Sequence, residues 1–556
     1  MISRAQALEA VQADQFDVVV IGGGITGAGV ALDAASRGYS VALLERFDFS
    51  QGTSSRSSKM VHGGLRYLQN FDLGLVREAL LERQLMVQLA PHLVYPTPYL
   101  VPTLGEKRRD RRIGIGLNMY DVMSTARVGR GRAQRAEHGD EEGFWWPDRH
   151  RTIDSEEVVK LIPALGPLDP SSAYLFYDCQ TDDSRLVLTV LGEAERFGAV
   201  PLNGAEVTDI LDEGGRAAGV RCRDADTGES FEVRAANVVN ATGVWADRIR
   251  PDEILEEEEI PRIAPSRGAH ITLATKDLDI GTAACIVPAG ADRTIFALPW
   301  YGRVLVGTTD NDYDGGIDEV APGDDDVAYL LDAINDYFDL DIGRDRITGA
   351  FAGVRPLIST GDPKKSVDIS RRAELYETSS GMLTITGGKL TTWRRMAEQT
   401  VDRIVERDGR DARCRTDDIP LGMPARDTDL DSELQLPDGA REQLAFRYGH
   451  AARQVLALAA ERPELAAPIL PGHPDLLAEA VLAARQEQAR SLSDVLLRRT
   501  RLGLVAASSL REEGPLRMVA GTMAGELGWS EDEVARQIEG WREDVRSEGL
   551  DPGVSA

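Results

Sequence analysis

Apolar residues along this chain change their period several times, and each change predicts a different kind of element. Near the start, the apolar run Val18–Ile21 is followed by a glycine-rich turn, an apolar stretch at helical spacing and a second run, VALL, that ends at Glu45. Short continuous apolar runs between turn signals predict buried strands, so this segment reads as strand, turn, helix, strand. FDLGLVREALLERQLMVQL, residues 71–89, places its apolar positions on one helical face. Residues 206–234 alternate in short runs broken by Asp-Glu-Gly-Gly at 212–215 and Asp-Ala-Asp-Thr-Gly at 224–228, a meander of hairpins that leads into VVNATG at Val238–Gly243. Between 261 and 310, the runs HITLA, TIFALPW and RVLVGTTD predict an antiparallel sheet separate from the first unit. From about Ala412 the pattern turns to amphipathic helices, as in AAPILPGHPDLLAEAVLAARQEQA. The polar residues 1–15 are expected to form a loose arm.

Gly22, Gly24 and Gly27 follow the first predicted strand in G-x-G-x-x-G spacing, and Glu45 stands 23 residues beyond Gly22. In a dinucleotide-binding unit the first glycine permits a tight turn, the second lets backbone approach a pyrophosphate, and the third brings the helix onto the sheet. Unpaired N–H groups at the helix start face the anion, and an acid at the position of Glu45 accepts hydrogen bonds from ribose hydroxyls. FAD and NAD both fit this motif. The expected fold class is α/β (α+β), with a Rossmann-like domain assembled from 14–95, 172–250 and 349–406. An antiparallel-sheet domain over 96–171 and 251–348 would form the substrate wall, and a helical domain would span 407–548.

A chain of 556 residues exceeds one ordinary core, consistent with two or three domains. No charged-then-apolar leader opens it and no run of about 18 apolar residues would span a bilayer, so the expected location is the cytoplasm. The four cysteines, Cys179, Cys222, Cys285 and Cys414, form no C-x-x-C pair, and the seven histidines lack ligand spacing, so no disulfide framework, cluster or metal is expected. A net charge of −28 argues against nucleic acid as a partner. Against that acidic background, Lys107–Arg135 carries nine Lys/Arg around the apolar segment IGIGLNMYDVM, a combination suited to the inner, anionic face of the cell membrane. The run Glu256–Glu259 reads as a solvated face. Leu/Ala faces in the C-terminal helices raise the expectation of a homodimer.

Candidate chemistry gathers in three further segments. TSSRSSKMVHGGLRYL places hydroxyls at Thr53, Ser54, Ser55, Ser57 and Ser58, and an imidazole at His62, on a compact loop beyond the phosphates. FAGVRPL and TITGGKLTTWRRMAE supply Arg355 and Lys389 in glycine-containing turns beside apolar runs. In the last segment the turn at Gly388 opens a helix whose N–H groups would face an electron-rich carbonyl.

Taken in order, G-G-G-I-x-G-A-G, S-S-x-S-S-K-x-x-H-G-G-L-R-Y-L, D-D-x-R-L-V-L at Asp182, N-A-T-G at Asn240, G-T-T-D at Gly307, G-V-R-P-L and G-G-K-L-T-T resemble FAD-dependent glycerol-3-phosphate dehydrogenases. RRTRLG at Arg498 resembles that family's C-terminal helical domain. The resemblance implies a flavoprotein whose FAD site comprises Gly22, Gly24, Gly27, Glu45, Thr53, Ser54, Ser57, Ser58, His62, Gly243, Gly388, Leu390 and Thr391. It places Arg66, Tyr67, Arg355, Arg371 and Lys389 around glycerol 3-phosphate, where guanidinium and ammonium groups match a phosphate dianion. The implied reaction is hydride transfer from C2 to flavin, giving dihydroxyacetone phosphate, with electrons passed to a quinone. His62 is the first candidate for the base and His270, in RGAHITL, the rival. An oxidase that uses oxygen, an amine or amino-acid oxidase of the same fold and a flavin-binding scaffold are the alternatives.

Overall fold

The computed structural model describes residues 1–65, 72–105, 110–124, 149–249, 262–290, 293–359, 373–430 and 432–553. Among these residues the chain builds two sheets, of eight and ten strands. The first runs Ala373–Glu377, Leu383–Gly387, Ser230–Asn240, Phe16–Ile21, Val41–Leu44, Val200–Leu202. Phe16–Ile21 pairs in parallel with Val41–Leu44 on one side and with the end of Ser230–Asn240 on the other. Every residue of Val41–Leu44 is buried, as parallel strands covered on both faces require. The helices Ile25–Ser36, Asp183–Arg196 and Trp393–Asp408 pack together as one such cover. The expected meander is present: Ala205–Asp212, Ala217–Asp224 and the first half of Ser230–Asn240 pair antiparallel.

The second sheet is antiparallel except where Ala284–Pro288 meets Tyr95–Leu104. At its heart, Arg262–Ala274 pairs along its length with Ile347–Ser359, setting Ser266 opposite Arg355 and His270 opposite Phe351. Side chains four residues apart on a strand share a face, so this register brings His270, Ser266, Phe351 and Arg355 to one surface. Pro170–Gln180 and Ile347–Ser359 both belong to this sheet, so the segments expected to start the nucleotide domain at 172 and 349 open with strands of the other sheet. The chain crosses between sheets after these strands, a choice of partner that a local apolar pattern does not encode.

The C-terminal helices Ala440–Tyr448, Ala452–Glu461, Leu477–Gln486, Glu513–Leu527 and Glu531–Ser547 share one apolar core with Tyr99, Phe176, Leu298, Trp300 and Phe351 of the second sheet. Eight of the ten residues of Leu477–Gln486 are buried there. Much of the Leu/Ala surface of these helices is thus covered within the chain. The N-terminus differs from the loose arm expected. Arg4–Ala13 is a helix, started by a Ser3/Gln6 capping box and anchored by buried Ala7 and Val11, while Arg4 donates to the Asn203 and Gly204 carbonyls.

Charge as well as apolar area joins the C-terminal helices to the nucleotide unit. Asp48, buried, accepts from Arg498 Nε at 2.6 Å and from Arg499 Nη1 and Nη2 at 2.8 Å. Burial alone would raise the Asp48 carboxyl, but Arg499 and Arg498 hold it down at about 2. The unfolded chain, with its carboxyl near 3.8, binds the proton more readily. Stability from this group is thus present above about pH 4 and lost as the pH falls through about 2, a contribution of about 2 kcal/mol. Asp48→Asn is expected to lower unfolding stability by about 3–5 kcal/mol at neutral pH, because it strands buried guanidinium groups. Urea unfolding should also show a shallower loss of stability on acidification below pH 4 in the variant; an identical acid limb would contradict the pairing.

Candidate active site

The glycine turn is built as tightly as its spacing requires. Gly22 has φ +109°, and a Cβ there would lie 2.7 Å from the Ala241 carbonyl oxygen. A Cβ on Gly27 would lie 1.9 Å from the Gly22 carbonyl oxygen, so only hydrogen fits between helix and turn. The N-A-T-G segment crosses this turn, held by Asn240 Oδ1, which accepts from Thr242 N at 3.2 Å and Thr242 Oγ1 at 2.7 Å. Glu45 closes the other side, accepting from Gly23 N at 2.6 Å and Phe47 N at 2.8 Å. Burial raises its carboxyl pKa against the pull of those two N–H donors.

Between these elements lies a cavity of about 490 Å³, within the range of roughly 300–1,000 Å³ that cofactor sites occupy. Its lining runs from Glu45 and Ala205–Thr208, past Gly22, Gly24 and Gly243, to Pro356, Gly388, Lys389 and Leu390. Thr53, Ser54 and Ser57 also line it, whereas Gly27, Ser58, His62, Arg355 and Thr391 are not among its lining residues. Ser54 Oγ accepts from Ile25 N at 2.9 Å and Thr53 Oγ1 donates to the Val354 carbonyl at 2.6 Å. Ser57 Oγ donates to Asp183 at 2.7 Å, so this hydroxyl shapes the loop through a neighbour. His62 and Thr391 tie two loops together: His62 N donates to Thr391 Oγ1 at 3.1 Å, and that hydroxyl donates back to the His62 carbonyl at 3.2 Å.

The strand register delivers the second half of the site. Arg355 is held as a fork, with Nη1 3.0 Å from Asp310 Oδ1 and Nη2 3.1 Å from both Thr308 Oγ1 and the Thr309 carbonyl. A Cβ at Gly268 would sit 2.4 Å from Nη2, so the bare glycine makes room for the fork. The His270 ring is buried, stacks on Phe351 at 4.8 Å between centroids, and shares a 2.8 Å hydrogen bond with Ser58 through Nε2. Burial, reinforced by the Lys59 and Arg355 cations, holds this imidazole well below the ordinary histidine range, so it is neutral at physiological pH. The strand bearing Arg355 packs against Leu383–Gly387, the strand that ends at the Gly388–Lys389 turn.

Several groups that matter here carried no expectation. Lys59 is fully buried, donates from Nζ to the Ser55 carbonyl at 2.6 Å and to Asp183 at 2.8 Å, and lies over the Phe351 ring. Burial lowers its ammonium pKa to about 7 even against Asp183. Asp178 gathers Arg83, the Tyr120 hydroxyl and Gly63 N, fixing the loop after His62. Both Lys59 and Asp183 stand inside the S-S-K and D-D-x-R-L motifs, which was the available signal. Arg66, Tyr67 and Arg371 lie outside the described residues, as do seven of the nine Lys/Arg of the basic stretch and the acidic run Glu256–Glu259. Among the described residues no group of His, Cys, Asp and Glu side chains has the makings of a metal site.

Residues 17–394 match the family described as FAD dependent oxidoreductase, and residues 414–534 match the C-terminal domain of alpha-glycerophosphate oxidase. A glycerol-3-phosphate dehydrogenase of Mycobacterium leprae is 36% identical over 98% of this chain and 91% of its own length. The mitochondrial glycerol-3-phosphate dehydrogenase of Arabidopsis thaliana is 34% identical, over 96% of this chain and 86% of its own. This chain belongs to the FAD-dependent glycerol-3-phosphate dehydrogenases. A solved glycerol-3-phosphate dehydrogenase of Bacillus halodurans, complexed with FAD, superposes with a TM-score of 0.76 at 28% identity, covering 100% of this chain and 99% of the other. Membership in the glycerol-3-phosphate dehydrogenases, a family of FAD-dependent oxidoreductases, accords with a glycine turn that opens onto a cavity of cofactor size. The cradle fits a dinucleotide such as FAD, since the Gly22 and Gly27 positions have no room for a side chain and the cavity opens against the helix start at Gly24.

Gly27→Ala is expected to yield protein with little bound flavin, since the new methyl group must displace the turn. Gly192→Ala, where a Cβ meets nothing within 4 Å, should retain the wild-type content. Flavin absorbance per purified chain measures both, and equal loading would contradict the cradle.

Proposed function

We propose that the chain oxidises sn-glycerol 3-phosphate to dihydroxyacetone phosphate and passes the electrons to a quinone at the inner, cytoplasmic face of the membrane. The observation that carries the substrate is the packing of the Arg355 strand against Leu383–Gly387, the strand that leads to Lys389, with Arg355 on the same sheet face as a buried neutral imidazole. A phosphate dianion is matched by a preorganised guanidinium fork and an ammonium, whereas an uncharged polyol would gain little from either. Bound FAD supplies the hydride acceptor. The side chains of this protein then have three tasks. Arg355 and Lys389, with Arg66, Tyr67 and Arg371 as further members of the set, hold the phosphate and hydroxyls so that C2 is oriented. His270, kept neutral, accepts the C2 hydroxyl proton, and Ser58 fixes its ring. His62 is the second candidate for that proton, its loop held to Thr391 and Asp178 through the backbone of His62 and Gly63. The short helical turn Leu390–Thr392 and the helix Trp393–Asp408 direct N–H groups toward developing negative charge. In this division of labour the first sheet carries the nucleotide, the second carries the substrate and the C-terminal helices brace both.

Quinone is favoured over oxygen by one surface. On the helix Arg111–Ser124, Ile115 is 63% and Val122 67% exposed, on the same face as exposed Arg111 and Arg112. Exposed aliphatic side chains seven residues apart beside arginines suit insertion among anionic headgroups. Among the described residues no helix is long and apolar enough to cross a membrane, so contact would be peripheral.

Arg355→Ala and Lys389→Ala should each weaken glycerol 3-phosphate binding by about 2–5 kcal/mol while barely changing the weak response to glycerol. Dye-linked steady-state kinetics on the two substrates decides this, and equal losses on both would refute the phosphate role. The combined variant Ile115→Asp/Val122→Asp should lower co-sedimentation with vesicles of anionic lipid, as should charge reversal at Arg111 and Arg112. Undiminished binding would remove the membrane face and with it the argument for quinone.

A further inference from the structure

The loop from Phe47 to Lys59 forms one wall of the cavity, through Phe47, Ser50, Gln51, Gly52, Thr53, Ser54 and Ser57. What holds it in place comes largely from the other end of the chain. Arg498 and Arg499 bind Asp48 at its start. Ser184 Oγ lies 2.5 Å from Ser50 Oγ and 3.0 Å from the Arg498 carbonyl, which joins the loop to the same segment a second time. Arg501 Nη2 donates to the Ser55 carbonyl at 3.0 Å and to Asp183 Oδ1 at 2.7 Å. Asp183 in turn accepts from Ser57 N at 3.1 Å, from Ser57 Oγ at 2.7 Å and from Lys59 Nζ. Ser58, between those two residues, carries the hydrogen bond to His270.

The segment that reaches the loop is itself unusual backbone. Thr500 N donates to the Val495 carbonyl five residues back, in a widened helical turn, and Arg501 follows at φ +68°, a left-handed conformation that non-glycine residues seldom adopt. All four side chains of Arg498–Arg501 are buried. Apolar contacts would attach a helical domain at lower desolvation cost than a row of buried guanidinium groups, so this arrangement needs a reason beyond attachment. Guanidinium forks fix the direction as well as the distance of their partners, which apolar packing does not.

We propose that Arg498–Arg501 is a positioning device for the flavin-side loop and, through Asp183, Lys59 and Ser58, for the imidazole of His270. The helical C-terminal unit thereby sets the turnover of the site in addition to stabilising the fold. Arg501 and Asp183 are positioning residues in this account, since neither lines the cavity. The inference rests on the assignment of the cavity to FAD and of the reaction to glycerol 3-phosphate.

The test uses full-length, flavin-loaded protein. Arg501→Lys keeps the charge and removes the fork; Ser184→Ala removes the second tie by a small truncation; Met523→Ala opens a cavity at a buried position of the same C-terminal core, on the helix Glu513–Leu527. With a loop displaced by a fraction of an ångström, Arg501→Lys is expected to lower kcat at saturating glycerol 3-phosphate by at least about tenfold with KM changed less than about threefold. It should also speed hydrogen exchange in the 48–59 peptide and alter the visible circular dichroism of the flavin. Ser184→Ala should move the same readings in the same direction by a smaller amount. Met523→Ala should lower the unfolding temperature and leave all three readings at wild type. Wild-type kcat, exchange and dichroism in Arg501→Lys or Ser184→Ala, with only the unfolding temperature reduced, would overturn the proposal. Exchange and dichroism are read without substrate, so a wild-type protein that glycerol 3-phosphate does not reduce would count against the substrate assignment alone.

Discussion

A carboxylate removed from water has to be surrounded by donors, and Asp183 collects them from three distant parts of the chain. Ser57 and Lys59 come from the loop under the cavity, Ser184 N from its own helix start and Arg501 from the C-terminal helices. Neighbouring Asp182 binds Tyr301 of the second sheet at 2.8 Å and lies beside Arg501. These two acids at the start of the helix Asp183–Arg196 are thus the place where both sheets and the C-terminal helices meet. Loss of one partner would leave charge uncompensated in a dry interior, so the three units are fixed relative to one another by satisfaction of charge as well as by apolar contact.

From that fixed frame the site follows by two local rules. Glycines without room for a Cβ bring a helix start onto the end of a parallel strand, where an anion is favoured. A long antiparallel register then places His270 and Arg355 on one face of the neighbouring sheet. Neither rule alone gives the enzyme; the glycine turn would serve any dinucleotide, and the Arg355 fork any anion. In the function proposed, their meeting near the Gly388–Lys389 turn is what selects a phosphorylated alcohol beside a flavin.

Much of this was legible in the residues. The strand, turn and helix at 16–45, the meander ending in Asn240, the runs around His270 and Gly307 and the helix from Leu73 all appear where local period placed them, because each depends on neighbours a few residues away. The helix Arg4–Ala13 was not, since its stability comes from two buried residues and an arginine that reaches across to Asn203. Nor could the Leu/Ala faces of the C-terminal helices announce that sheet residues such as Tyr99, Phe176 and Leu298 share their core. In the site, residues in glycine motifs were readable as types, while the roles of Lys59 and Asp183 arise only from the long-range pairing of Asp183 with Lys59 and with Arg501. Ser57 shows the converse: a hydroxyl in a cofactor motif whose proton goes to another side chain.

The most direct test of this account is anaerobic mixing of the flavin-loaded protein with sn-glycerol 3-phosphate while the flavin absorbance is followed, then admission of a soluble quinone or of oxygen. Rapid bleaching, with colour restored faster by quinone than by oxygen, is the predicted result. A flavin that stays oxidised under excess glycerol 3-phosphate would contradict the substrate, and rapid recovery with oxygen alone would contradict the acceptor.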